Sequence, residues 1–392
     1  MDQPKSKHRR RTRLVHAGHD LETSQGFVNV PAVRGSTVLY PDTATMKDAA
    51  QRYTYGTHGT PTTDALASAW SELAGAAGTS LVPSGLAAIA MALQTAVKAG
   101  DHLLMTDSAY GPARRFAEKV LRPLGVETTY YDPEIGAGIA ALMRGNTTAI
   151  LTEAPGSQSM EMQDIPAISE AAHARGVCVI MDNTWATPLL FPPHEHGVDL
   201  AIEAGTKYLS GHSDLLLGLV SANSSWWPRL HAYVDLYGIP PGPEDCFLAL
   251  RGLRTMELRL REAERQALEL ARWLETRPEV ARVIHPALPH HPGHAIWKRD
   301  FLGSSGLFSV ILKPASEAAV AAMLDGLELF GLGYSWGGYE SLIIPFDCTT
   351  YRTATRWVQK GPALRLQVGL EDVEDLREDL ARGFERLTAH NL

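Results

Sequence analysis

Three cysteines in 392 residues, Cys178, Cys246 and Cys348, stand far apart, with no Cys-x-x-Cys pair and no metal-ligand spacing. That excludes a disulfide framework or a cysteine-held metal as the organising feature, and leaves buried free thiols as the expectation. The chain lacks an apolar run long enough to span a bilayer, and no apolar segment of export-signal type follows its basic start. It also lacks an excess of positive charge: 36 Lys and Arg face 44 Asp and Glu, a formal net charge of −8. Such a balance speaks against nucleic acid or an anionic membrane as a partner. What remains is a chain with 45% hydrophobic residues, long enough for a large core shared by two domains, expected in the cytoplasm and acting on small molecules.

Two local features run against this background. The basic run "KSKHRRRTR" at Lys5 to Arg13 is expected to be a solvated, disordered terminus. His285, His290, His291 and His294 cluster, but Pro286, Pro289, Pro292 and Gly293 break the stretch into a loop that offers no fixed ligand geometry, so no metal is expected there.

From Thr62 onward, helical and strand patterns alternate. Leu66, Trp70, Leu73 and Ala77 recur at helical spacing; "TSLVPSG" then reads as a strand entering a turn, and "LAAIAMALQTAV" as a buried helix. Further apolar strands are predicted at His102 to Asp107, Thr148 to Ala154, Val177 to Asn183, Asp199 to Gly205 and Leu215 to Ala222. Continuous apolar strands separated by helices imply an α/β fold with a mostly parallel sheet covered on both faces. The expected division is an arm over residues 1–60, a large domain over 61–254 and a smaller α/β domain over 255–392.

Ligands of such sheets bind at the carboxyl ends of the strands. Here those ends carry Ser84 and Gly85, Asp107 to Tyr110, Glu153 to Ser157, Asp182, and Lys207 within "AIEAGTKYLSGHSD". Asp182 and Lys207 close two successive strands, which fits either a structural ion pair or an acid and an amine at work together. The helix start after Ser84 frees the amides of Gly85 and Leu86 for an anion, and Tyr110 supplies an aromatic face. An anion cradle, a flat surface, an acid and an amine are the requirements of pyridoxal 5′-phosphate (PLP), with Lys207 in Schiff-base linkage to the aldehyde. A lysine in an apolar setting then has a reason to be there, because an imine escapes the penalty of a buried ammonium.

"RYTYGTHGTPTT", "PSGLAAI", "SAYGP", "MDNTWATP" and "GTKYLSGHSD", in this order along the chain, resemble the fold type I PLP enzymes of cysteine and methionine metabolism, a resemblance that covers nearly the whole chain. Within that family, "GYSWGGYESL", "TEAPGS", "HPALPHHPGH" and "DFLGSSGLFSV" are similar to the carbon-sulfur lyases that act at the β-carbon. The resemblance implies β-elimination of L-cystathionine to homocysteine, pyruvate and ammonia in methionine biosynthesis. γ-Lyase or γ-synthase chemistry, a broader cysteine-S-conjugate lyase, and a non-catalytic binding protein on the same fold are the alternatives. It implies that Lys207 holds the cofactor and shuttles protons, Asp182 meets the ring nitrogen and Tyr110 stacks on the ring. Ser84, Gly85, Leu86, Thr206, Tyr55 and Thr57 fall at cofactor-binding positions. Arg365 takes the substrate carboxylate, helped by Ser335, with Trp336, Tyr55 and Tyr110 also facing substrate. Tyr55 is implied to serve the neighbouring subunit's site, which requires a homodimer, with a homotetramer as the family's habit. Two departures stand out: Thr57 and His58 occupy a position where relatives commonly place a phosphate-binding arginine, and Ala204 one where many have serine. Weaker cofactor binding is expected from both.

Overall fold

The alternating pattern resolves into two sheets. The structure, a computed structural model, describes residues 8–21, 24–48 and 50–391. The first sheet contains β1 (Gly78–Val82), β2 (His102–Thr106), β3 (Glu127–Tyr131), β4 (Thr147–Glu153), β5 (Cys178–Asp182), β6 (Leu200–Ala204) and β7 (Gly218–Ala222), in the spatial order β1-β7-β6-β5-β4-β2-β3. The run from β6 to β3 is parallel, whereas β7 lies antiparallel between β1 and β6. The mostly parallel α/β reading therefore holds.

These strands are apolar without alternation because both faces are covered. On one face the helix Gly85–Ala96 sets Ile89 and Leu93 among Leu103, Ile180 and Ile202. On the other, the helix Ile165–His173 buries Ile165 and Ile168 among Ile150, Val179 and Met181. The helix Pro61–Ala74 buries Leu66, Trp70 and Leu73 with Leu217 and Leu219. Its start is a capping box between Thr60 and Thr63, with proline at its first position. The edge strand β3 escapes sequence reading, since "ETTYY" is polar and only partly buried.

The second sheet has β8 (Val280–Ile284), β9 (Leu307–Leu312), β10 (Gly331–Leu332), β11 (Leu342–Phe346) and β12 (Ala363–Gln367), ordered β10-β11-β12-β9-β8. It is antiparallel except for the β10–β11 pair. The period-2 alternation of β12 divides its residues between two faces. Leu364 and Leu366 pack with Leu270, Leu274, Leu380 and Phe384 from the helices Met256–Glu275 and Val373–His390. Ala363 joins the cluster of Trp185 and Phe301, and Gln367 accepts from Tyr208 Oη at 3.4 Å. Arg365 therefore shares the face turned toward the first sheet.

One expectation is corrected. Lys5 to Lys7 lie outside the described residues, but the rest of the basic run is ordered: Arg10–His16 is a helix whose Leu14 is buried with Leu66 and Trp70. Arg13 pairs with Glu72 at 2.9 Å and Arg11 with Glu257 at 2.7 Å. Matching carboxylates and one buried leucine outweigh the repulsion that the isolated run suggested.

Candidate active site

β6 ends at Ala204, and the turn that follows carries Lys207, whose amide donates to Ala204 O at 2.9 Å. Lys207 Nζ donates to Ser335 Oγ at 2.5 Å and lies 5.4 Å from the Trp336 ring centroid. Burial, with the charge of Arg365, lowers its ammonium to about 8; the carboxylate of Asp182 opposes that shift. The amine is thus available in neutral form near physiological pH.

Opposite Lys207 the segment Ser335 to Gly337 makes a tight turn, with φ of 80° at Ser335 and 82° at Gly337. A Cβ on Gly337 would meet Tyr208 N at 2.9 Å and Lys207 C at 3.0 Å, so only glycine lets the turn rest on the lysine's own backbone. A non-glycine residue at positive φ costs about 1–3 kcal/mol and persists where its surroundings hold it. Ser335 is held from two sides, by Lys207 Nζ on its hydroxyl and by Arg365 Nη2 on its carbonyl at 3.1 Å. Arg365 is itself buried, and the loss of water lowers its guanidinium to about 10. Trp336 packs against Tyr208, ring centroids 5.5 Å apart.

At the end of β5, Asp182 Oδ1 accepts from Thr184 N at 3.0 Å and Thr184 Oγ1 at 2.6 Å, while Oδ2 has no protein donor among the described residues. Burial raises its carboxyl above the ordinary value against the opposing pull of Thr184 and Lys207. Tyr110 precedes the helix Gly111–Phe116, and its backbone N–H donates to Glu153 Oε2 at 2.7 Å. Its phenol is pushed up by burial and by the charges of Asp182 and Glu153, with Arg365 pulling the other way. Ser84 Oγ caps Ala87 N at 3.1 Å, and among the described residues the Gly85 and Leu86 amides are left free of partners. A Cβ on Gly85 would come within 2.8 Å of Ala204 Cβ, so this helix start lies directly against the end of β6. Thr206 is committed locally: its hydroxyl accepts from Leu217 N at 3.0 Å and donates to Leu217 O at 3.3 Å.

Lys207, Asp182, Tyr110, Ser335, Trp336 and Arg365 are thus brought together. Tyr55 and Thr57 are not: they line a separate cavity of about 400 Å³ with Arg34, Pro240 and Glu244. His58 is bonded through Nδ1 to Thr54 Oγ1 at 3.0 Å, with Nε2 3.8 Å from Asp235. Sequence reasoning assigned no role to Glu153 or Glu203. Burial, reinforced by the charge of Asp182, raises both well above the usual carboxylate range. The signal that could have found Glu203 is an acid inside the apolar run of β6.

The profile of the "Cys/Met metabolism PLP-dependent enzyme" family matches residues 11–385. The chain belongs to this family. The chain is 54% identical over 382 residues to a putative cystathionine beta-lyase of Rhizobium johnstonii, covering 96% of each chain. It is 43% identical over 387 residues to the cystathionine beta-lyase of Salmonella typhimurium, covering 96% of this chain and 98% of that one. Among solved structures, a cystathionine gamma synthase from Xanthomonas oryzae pv. oryzae superposes with a TM-score of 0.90 at 32% identity, over 98% of this chain and 100% of the other.

As a member of the Cys/Met metabolism PLP-dependent enzymes, the chain takes PLP as its cofactor. Its residues fit that group. The free amides beside the cramped Gly85 suit a phosphate, Asp182 Oδ2 is open to an N–H donor, and the Lys207 amine is only partly exposed and close to neutrality.

Proposed function

We propose that this enzyme is a carbon-sulfur lyase that converts L-cystathionine and water to homocysteine, pyruvate and ammonia. The observation that carries the reading is the bridge through Ser335, which sets the Lys207 amine and the Arg365 guanidinium on one residue. An amino acid whose carboxylate is gripped by Arg365 then presents Cα to Lys207. PLP, when bound, supplies the electron sink that loosens bonds at Cα and Cβ of the amino acid. Lys207 holds the cofactor and moves the Cα proton, Asp182 keeps the ring nitrogen protonated, and Tyr110 covers the ring. Ser84, Gly85, Leu86 and Thr206 form the phosphate end, and Trp336 narrows the pocket beside Ser335, which favours reaction at Cβ over reaction at Cγ.

The same reading makes the molecule a homodimer at least, with a tetramer as its full assembly. Tyr55 is 48% exposed and lines a cavity apart from Lys207, as suits a residue that serves a neighbouring subunit together with Thr57. The division into arm, large domain and smaller domain at residues 60 and 254, and a cytoplasmic location, belong to the same proposal. Among the described residues no helix is long and apolar enough to cross a membrane. The test is incubation of the PLP-loaded protein with L-cystathionine and identification of the keto acid and thiol. Pyruvate with homocysteine is expected; 2-oxobutyrate with cysteine would overturn the assignment in favour of γ-elimination.

A further inference from the structure

The apolar run of β6 is broken by Glu203, which is 1% exposed. Both its carboxyl oxygens are buried without a hydrogen-bond partner among the described residues. At the neighbouring strand end Asn183 Oδ1 is in the same condition. Asn183 is also 1% exposed, and its Nδ2 is already engaged by Phe191 O at 3.0 Å.

The topology sets these two side by side. β5 and β6 are parallel with Asp182 opposite Ile202, and Asn183 N continues the ladder by donating to Ile202 O at 3.0 Å. The next pair in register is Asn183 and Glu203, and residues paired in this way direct their side chains to the same face. That face is turned away from the start of the helix Gly85–Ala96, since Ala204, the next residue, is the one whose Cβ meets Gly85. An ionised carboxylate stripped of water and facing an amide carbonyl would be doubly unfavourable. One proton removes both defects, because a carboxylic acid can donate where a carboxylate cannot.

We propose that Glu203 is a neutral carboxylic acid donating its O–H to Asn183 Oδ1, a cross-strand clip on the far side of the sheet from the helix start. Burial and the charge of Asp182, the ionisable group that bears on it, both favour the neutral form. The clip ties the residue after Asp182 to the strand that reaches Lys207 four residues later. Glu203 and Asn183 are positioning residues: they set the distance between the Asp182 carboxylate and the Lys207 amine. This positioning role rests on the reading of Asp182 and Lys207 given above, whereas the neutral acid does not.

Infrared difference spectra of wild type against Glu203→Gln test the acid directly. The wild type is expected to carry the C=O stretch of a protonated carboxylic acid that the variant loses and that shifts in Asn183→Ala; no such band would overturn the clip. The positioning role is tested on PLP-loaded protein. Glu203→Gln keeps an N–H donor toward Asn183 and is expected to retain PLP affinity and kcat/KM. Glu203→Ala orphans the amide carbonyl and is expected to lose on the order of tenfold in PLP affinity, with the kinetic loss in kcat and not in KM. A glutamine variant that fails like the alanine variant would overturn the donor role. An alanine variant with lower Tm but unchanged PLP affinity, cofactor circular dichroism and kcat would overturn positioning. A wild type that bound no PLP would sink the functional reading and the positioning role together, and the infrared band would still decide the acid.

Discussion

Asp107 and Asp182 sit at the carboxyl ends of strands in the same sheet, and they differ in what surrounds their oxygens. Asp107 is fully buried, yet it accepts from Arg114 Nη1 at 2.9 Å, Thr353 N at 3.0 Å, Ala354 N at 3.1 Å, Thr355 N at 2.7 Å and Thr355 Oγ1 at 2.8 Å. Burial would raise its carboxyl, but these donors win and hold it below its ordinary value. At the ends of β4, β5 and β6, the half-buried Glu153 and Asp182 and the buried Glu203 have fewer donors or none, and loss of water raises all three. The shifts run in opposite directions because donors offset the loss of water at Asp107 and do not at the other three. The saturated carboxylate is scaffold: it pins the segment between β11 and β12 to the strand end that leads to Tyr110. The undersatisfied ones mark the region prepared for something to bind or to move a proton.

The sharpest way to break this contrast is at the site itself. Lys207→Ala is expected to abolish covalent PLP loading and to lower kcat by about 10²–10⁴-fold from the missing base alone; a variant within tenfold of wild type would remove Lys207 from the chemistry. Arg365→Ala should cost about 3–5 kcal/mol, as expected when one member of a buried charged pair is lost, read as kcat/KM on L-cystathionine. A change below tenfold would mean that Arg365 merely braces Ser335. On the scaffold side, Asp107→Ala is expected to lower unfolding free energy by a similar order, about 3 kcal/mol, with little change in the pH dependence of kcat. Because the folded carboxyl is depressed, its stabilisation is present above the ordinary value near 3.9 and fades as pH falls through the folded value. Denaturant titrations of Asp107→Asn and wild type should therefore converge in acid.

Two finer measurements address the cofactor. PLP loading of the apo protein should quicken as pH rises with a midpoint near 8, where half of the Lys207 amine is neutral, and level off above it; a midpoint in the ordinary lysine range would show that the surroundings do not depress it. Thr57→Arg restores a bidentate phosphate partner and should tighten PLP binding by about tenfold, measured by equilibrium dialysis. No change would place Thr57 outside the phosphate site.

Much of this was legible along the chain. The alternation of apolar strands and helices predicted the main sheet, and the strand ends pointed to Ser84, Gly85, Tyr110, Asp182 and Lys207. The polar edge strand β3 and the helix of the basic run were not legible, because their order comes from contacts distant in sequence: β3 pairs with β2, and Arg13 meets Glu72. Nor could sequence spacing reveal that Ser335, 128 residues from Lys207, accepts a hydrogen bond from its Nζ.

By itself the sequence determined which chemical groups are present and the strand-turn-helix units that carry them, since helix starts, glycine turns and apolar periodicity act over a few residues through local sterics and hydrogen bonds. The tertiary structure alone decided which face of β12 turns Arg365 toward Lys207, which carboxylates find donors, and which are left without them. Those outcomes depend on desolvation and pairing between groups far apart in the chain, and water is excluded only once both sheets are packed.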